Sequence, residues 1–279
     1  MAKKLKTIIK LLLSFTLLGF VLYKIDITKL ESILKEVNIF YLFIAFLFFN
    51  LSKIISAIRL NYYFKEINID LDLKKNLMLY YLGMFYNLFL PGGIGGDGYK
   101  AYLLNKKYHI KFSLIVQALL FDRISGLVSL IFLASFLFLF SSYSVTPFNY
   151  LAFLSLISVY FVFYFISKKL KKFMYYFKQT TFLGFLVQLI QLFSALFIIY
   201  SLPDHVPIID FLVLFLISSV VSVLPITIGG IGVRELTFLY GLQFIGYSPD
   251  IGIAFSFMFF FITLMSSLIG ILFIHKKII

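Results

Sequence analysis

A fourteen-residue stretch occurs twice in this chain, and each copy breaks a long apolar run. Residues 90–103 read LPGGIGGDGYKAYL and residues 224–237 read LPITIGGIGVRELT. At an offset of 134, Leu90, Pro91, Ile94, Gly95, Gly96 and Gly98 fall on Leu224, Pro225, Ile228, Gly229, Gly230 and Gly232, and Lys100 falls on Arg234. The flanks match at the same offset, since 114–140 maps onto 248–274 and both are apolar. Gly/Pro-interrupted hydrophobic segments at corresponding places in two halves of a chain point to the binding site of a transporter built from repeats.

The surrounding composition sets the solvent. The chain is 62% hydrophobic and 13% charged, against about 45–50% apolar and about 25% charged in soluble domains. Crossing a bilayer takes roughly 20 apolar residues in a helix. Runs of that kind fall at 7–23, 39–59, 114–140, 149–166, 182–200 and 250–274, and shorter ones at 77–90 and 211–225 end at the two copies. In hydrocarbon every backbone polar group must be satisfied within the protein, so helices or a closed barrel are the available folds. The runs are helix-length. The expected fold is therefore all-α and membrane-integral, with about six spanning helices and two re-entrant hairpins related by an inverted repeat. It forms one membrane domain over 1–279, with repeat cores at about 77–140 and 211–274.

A formal charge of +13 invites a nucleic-acid reading, but the cations sit in short loops between spans, as the positive-inside rule requires. With the N-terminus inside, the inner segments hold Lys3, Lys4, Lys6, Lys10, Arg59, Lys65, Lys74, Lys75, Lys106, Lys107 and Lys111. They also hold Lys168, Lys169, Lys171, Lys172, Lys178, Lys276 and Lys277. The outer segments hold only Lys24, Lys29 and Lys35. This bias holds only if 77–105 and 211–246 each enter and leave on one side. Three crossings then separate the hairpins, which places them on opposite sides with their tips approaching each other. Both termini are expected inside, in the cytoplasmic membrane of a prokaryote. MAKKLK could begin a signal peptide, but no small-x-small cleavage site follows, so 7–23 reads as a retained span. Outside, 26–38 reads as a short amphipathic surface helix, with Thr28 and Glu31 at capping-box spacing. The basic, aromatic segment 168–180 reads as an inner loop touching anionic headgroups.

The glycines admit two readings. They allow a tight turn with close helix packing. They also leave the first N–H groups of half-helices starting near Gly98 and Gly232 unpaired, which makes an anion site. Lys100 and Arg234, about one turn further on, favour the anion site, because an ionised residue at membrane depth is a functional candidate by default. The competing reading is salt bridges, Lys100 with Asp97 and Arg234 with Glu235. Asp97 also suits a helix cap. Asp122 and Arg123, deep in an apolar run, point about 100° apart on a helix and so reach different neighbours. They form either an interhelical bridge or the lining of a headgroup path, and Gly126 allows close approach. The second copy has Ser256 and Phe257 there, so the site is asymmetric. Asn50 and Lys53 share a face, with Lys53 reading as a snorkelling lysine. No His/Cys/carboxylate cluster has metal-ligand spacing, no nucleotide-binding fingerprint is present, and cysteine is absent. No cofactor, metal or catalytic constellation is expected, and the chain does not read as an enzyme.

Three ordered blocks, FLPGGIGGDGYKAYLL, ALLFDRISGL and VLPITIGGIGVRE, resemble the flippase-like membrane domain of lysylphosphatidylglycerol synthases, the family of the multiple peptide resistance factor. The resemblance spans about 5–275. It implies signature positions at Pro91, Gly95, Gly96, Lys100, Asp122, Arg123, Pro225, Gly229, Gly230, Arg234 and Glu235, with Lys100 standing where arginine is common. Full-length relatives join this domain to a cytoplasmic aminoacyl-transferase, and related domains occur beside glycosyltransferases acting on polyprenyl lipids. This chain carries no transferase segment, so lysyl transfer is not implied. The expected function is translocation of an anionic or phosphate-containing lipid headgroup. The rivals are presentation of a lipid to a separate glycosyltransferase or aminoacyl-transferase, and transport of a soluble anion. Membrane lipids are the expected partners and nucleic acid is not; the sequence leaves the oligomeric state open.

Overall fold

A computed structural model of the protein describes residues 15–89, 95–223 and 230–274. Among these it is helical without strands. The elements are α1 (Phe15–Lys24), α2 (Ile27–Lys35), α3 (Ile39–Lys65), α4 (Leu73–Phe89), α5 (Gly95–Tyr108), α6 (Phe112–Phe138) and α7 (Phe148–Leu170). They continue with α8 (Phe177–Ser201), α9 (Ile208–Val223), α10 (Val233–Phe244), α11 (Pro249–Leu268) and a 3-10 turn, Ile269–Phe273. By length and composition α3, α6, α7, α8 and α11 with its 3-10 turn are long and apolar enough to cross a membrane. The protein is an all-α, multi-pass membrane protein. The first expected span, 7–23, lies only partly within the described residues, as Phe15–Lys24.

The helix α3 runs six residues past the expected 39–59, and this corrects one reading. Arg59 is not a loop cation. It is a buried side chain inside the helix. A second correction concerns α2. Its cap is Asp26, whose carboxylate accepts from the Thr28 and Lys29 N–H groups, rather than Thr28.

The packing pattern is duplicated. α3 and α8 make the most extensive helix pair. α4 then packs on α5 and α5 on α6, as α9 packs on α10 and α10 on α11. The halves also exchange contacts, α6 against α9 and α11 against α4. Between helices in lipid the hydrophobic effect is weak, so close packing and polar contacts hold them together. At the α3–α8 crossing Ala45 and Ala195 are fully buried and the Ser194 hydroxyl donates to the Ala45 carbonyl at 2.8 Å. A second kind of contact is aromatic: Phe211, Phe215, Phe238 and Phe255, all essentially unexposed, join α9, α10 and α11 through edge and tilted ring contacts. α7 is peripheral. Its described residues are mostly exposed and apolar, with only Phe163 and Ser167 buried, as suits a helix bathed in acyl chains.

Candidate functional site

The first interrupted segment folds as the helix pair α4–α5. A Cβ on Gly96 would overlap the carbonyl of Gly83, so these two glycines let the backbones touch. A Cβ on Gly83 would also overlap the Lys100 side chain, which runs across that glycine. The α5 helix starts at Gly95, three residues before the expected Gly98. Gly98 has open space where a Cβ would stand. Asp97, in the first turn, gathers two cations: Lys100 Nζ lies 3.1 Å from Oδ1, and Arg123 Nε reaches Oδ2 at 2.5 Å. Thus the Lys100–Asp97 bridge forms, and Arg123 ties α6 to α5.

The second segment is built differently. Gly230 and Gly232 have φ of 80° and 87°, the left-handed region that glycine enters without strain. Glu235 does not pair with Arg234. Its Oε2 accepts from the Gly232 N–H at 2.6 Å, and its Oε1 accepts from the Ser256 hydroxyl at 2.8 Å. The carboxylate therefore occupies the N-terminus of α10, where the helix dipole favours negative charge. A parallel correction applies to α5, where the Gly96 N–H donates to the Asn87 carboxamide at 2.8 Å. These two N–H groups are therefore not unpaired anion donors.

With its neighbouring carboxylate so engaged, Arg234 lies against an aromatic ring. Its guanidinium carbon is 4.4 Å from the Phe259 ring centre, and its buried Nε has no hydrogen-bond partner. Lys53 Nζ sits 4.2 Å from the Phe49 ring centre. The two rings meet edge to face, 5.6 Å apart. Two cations thus stand on one aromatic pair. Cation–π contact, worth about 2 kcal/mol when desolvated, offsets only part of the cost of burying them.

Both cations face a cavity of about 370 Å³ between the two helix pairs, lined also by Tyr80, Asn87, Arg123 and Ser222. The cavity reaches the protein surface at Val223, a lining residue that is 41% exposed. A smaller chamber of about 160 Å³ shares Tyr80, Met84, Asn87 and Arg123 with it and adds Arg59, Asp97, Lys100 and Asp122. There Arg59 Nε donates to Asp122 Oδ1 at 2.7 Å, with both side chains buried. Gly126 makes room for this arginine rather than for a neighbouring helix, since its Cβ would stand 3.1 Å from Arg59 Nη1. Asn50 turns away to Ser266 and Tyr81.

The structure therefore brings Lys100, Asp97, Asp122, Arg123 and Arg234 around two adjoining spaces that share lining residues. Gly96, Gly230 and Gly232 shape the backbone around them, Gly95 opens α5, Gly98 meets no neighbour, and Glu235 holds the start of α10. Pro91, Pro225 and Gly229 lie outside the described residues. Gly83, Asn87 and Phe259 carry no signal in the sequence, Arg59 reads there as an inner-loop cation, and Lys53 reads as a lysine snorkelling towards the inner side. Their roles depend on partners distant in the chain. A charged residue inside an apolar run was the available signal for Lys53 and Arg59. No cluster of His, Cys, Asp and Glu suited to a metal ion occurs among the described residues.

A family model described as the lysylphosphatidylglycerol synthase TM region matches residues 7–270. The chain is also similar to the UPF0104 membrane protein MJ1595 of Methanocaldococcus jannaschii. The two are 29% identical over 152 residues, which is 54% of this chain and 45% of that protein. The matched stretch spans less than half of the relative's length.

Proposed function

The chain belongs to the lysylphosphatidylglycerol synthase transmembrane-region family, and on that footing we propose that it carries a phosphate-bearing lipid headgroup across the cytoplasmic membrane. The observation that carries this reading is the cavity between the two interrupted helix pairs, where Lys53, Arg123 and Arg234 converge. Ionised residues at membrane depth cost about 2.5–3.5 kcal/mol each on insertion scales, and here they line one shared space instead of escaping to an aqueous surface. A headgroup phosphate offers Arg234, whose buried Nε has no partner, a charge-assisted hydrogen bond. The apolar rim at Val223 favours a lipid over a free solute, since acyl chains can remain in the bilayer while the headgroup enters. Translocation needs no bond made or broken, so the proposal assigns no catalytic residue and no cofactor.

The test is headgroup translocation in liposomes. Charge-assisted hydrogen bonds contribute about 1.5–3 kcal/mol each. Arg234→Ala and Lys100→Ala should therefore each lower apparent affinity for the lipid about tenfold or more while leaving folded protein. Lys100→Arg should retain activity, because arginine occupies the equivalent place in the second copy. A Lys100→Ala, Arg234→Ala double variant that moves lipid at the normal rate would remove the cavity from the mechanism.

A further inference from the structure

The formal charges of the side chains around the two chambers do not balance. Five cations line the two adjoining spaces: Lys53, Arg59, Lys100, Arg123 and Arg234. Only Asp97 and Asp122 line these spaces with them. Counting Glu235 as well, because it neighbours Arg234 even though it caps α10, three carboxylates oppose five cations. No other acid is available. All twelve Asp and Glu residues of the chain lie among the described residues, and the remaining segments contain none. The other nine sit elsewhere. Asp26 and Asp250 meet near the start of α2, Asp210 accepts from Ser142, Glu31 pairs with Lys35, and Glu66 accepts from the Tyr176 N–H. Glu36, Asp70, Asp72 and Asp204 are exposed.

An excess of two positive charges lining a cavity at membrane depth is costly unless a ligand supplies the opposite charge. A zwitterionic headgroup brings none, and a phosphodiester such as that of phosphatidylglycerol brings one. A phosphomonoester carries about −1.5 to −2 at pH 7. Resting on the reading of the cavity as a headgroup site, we infer that its ligand is a dianionic phosphate, a phosphomonoester or diphosphate, rather than a phosphodiester or an aminoacylated headgroup. Lys53 and Arg234 are the specificity-determining pair, because Arg59 is held by Asp122 and Asp97 is shared by Lys100 and Arg123. The Phe49–Phe259 pair fixes both cations from behind, so that their donor atoms address one anion.

Binding rather than transport provides the test. The intact protein is placed in phosphatidylcholine nanodiscs with phosphatidic acid, or with twice the mole fraction of phosphatidylglycerol to equalise surface charge. Retained lipid is counted by native mass spectrometry. Phosphatidic acid should be favoured over phosphatidylglycerol by about tenfold, equivalent to about 1.4 kcal/mol. Arg234→Gln and Lys53→Met should each bring the ratio towards one, while Lys107→Gln at the exposed end of α5 leaves it unchanged. Two variants at separate sites guard against misfolding of either. Equal retention of the two lipids by the unaltered protein overturns the inference even if liposome transport is intact. Conversely, a persistent preference without any transport supports the dianion site and removes the translocation reading. Displacement of phosphatidic acid by inorganic pyrophosphate at comparable concentration supports the site chemistry and assigns its ligand to a soluble source.

Discussion

Lys100 and Arg234 hold matching places in the two copies of the repeat, yet one is neutralised and the other is not. Lys100 Nζ is 3.1 Å from Asp97, whereas Arg234 rests on Phe259 and Glu235 beside it caps the helix instead. The position corresponding to Asp97 is Ile231, so the second copy has no equivalent acid. The asymmetry separates two effects. Glu235→Ala should destabilise the protein by about 1 kcal/mol, the ordinary worth of a cap, and should do so equally with Arg234 present or absent. Arg234→Ala should leave the thermal midpoint almost unchanged. Recovery of stability on removing Glu235 from the Arg234→Ala variant would mean that the two form a bridge after all.

The pair Arg59–Asp122 behaves differently, because both partners are buried. Breaking a buried ion pair from one side typically costs about 3–5 kcal/mol, since the remaining charge has lost its partner. Asp122→Asn is expected to lower stability on that scale, and Arg59→Met, Asp122→Leu together to lower it much less. Thermal unfolding of the four proteins of this double-mutant cycle checks the coupling, and additive losses would show that the pair is not coupled.

Apolar length and composition were enough to read the all-helical membrane architecture, because hydrocarbon leaves the backbone few alternatives. What could not be read was pairing across distance. Arg59 looked like a loop cation because its partner Asp122 is 63 residues away. Lys53 reads as a snorkelling lysine, whereas its ammonium stands over Phe49 and lines the cavity that Phe259 and Arg234 also line. At the helix starts, Asn87 and Glu235 satisfy N–H groups that the glycine pattern alone left open. A glycine repeat shows where backbone is irregular, and the side chains that occupy the resulting donors come from elsewhere in the fold.

The orientation rests on charge bias, and the shift of Arg59 into a helix leaves that bias intact. Since the chain has no cysteine, single cysteines report without background. Replacements at Ser144 and His205 should label from outside, and those at Lys107 and Lys171 only after permeabilisation. Labelling of Lys107→Cys from outside would make α4 a full crossing and reverse everything after it.

The docking of α2 should depend on pH. The Thr28 hydroxyl and the Lys29 N–H hold the Asp26 carboxyl below its ordinary value of 3.8. A depressed native value means that this contribution is fully present above the unfolded value and fades as pH falls through the native one. Hydrogen exchange in 27–35 should therefore be unchanged at neutral pH and rise only below about 3.8. In Asp26→Asn the acid-dependent rise should disappear.

The α4–α5 contact offers the sharpest comparison, because two glycines in one helix meet opposite surroundings. At Gly96 an added methyl collides with the Gly83 carbonyl, which is backbone and cannot swing aside. At Gly98 it meets nothing. Gly96→Ala should destabilise the protein by about 1–3 kcal/mol, the usual cost of overpacking. It should also weaken lipid binding, since separating α4 from α5 moves Lys100 and Asp97 away from Arg123. Gly98→Ala should be neutral or stabilising by up to about 1 kcal/mol, because alanine replaces a poor helix former without strain. Thermal unfolding and lipid retention measured on the two single variants decide the point. Equal effects at both positions would show that these glycines serve the turn alone and that close approach of the two helices is not what positions the charged cluster.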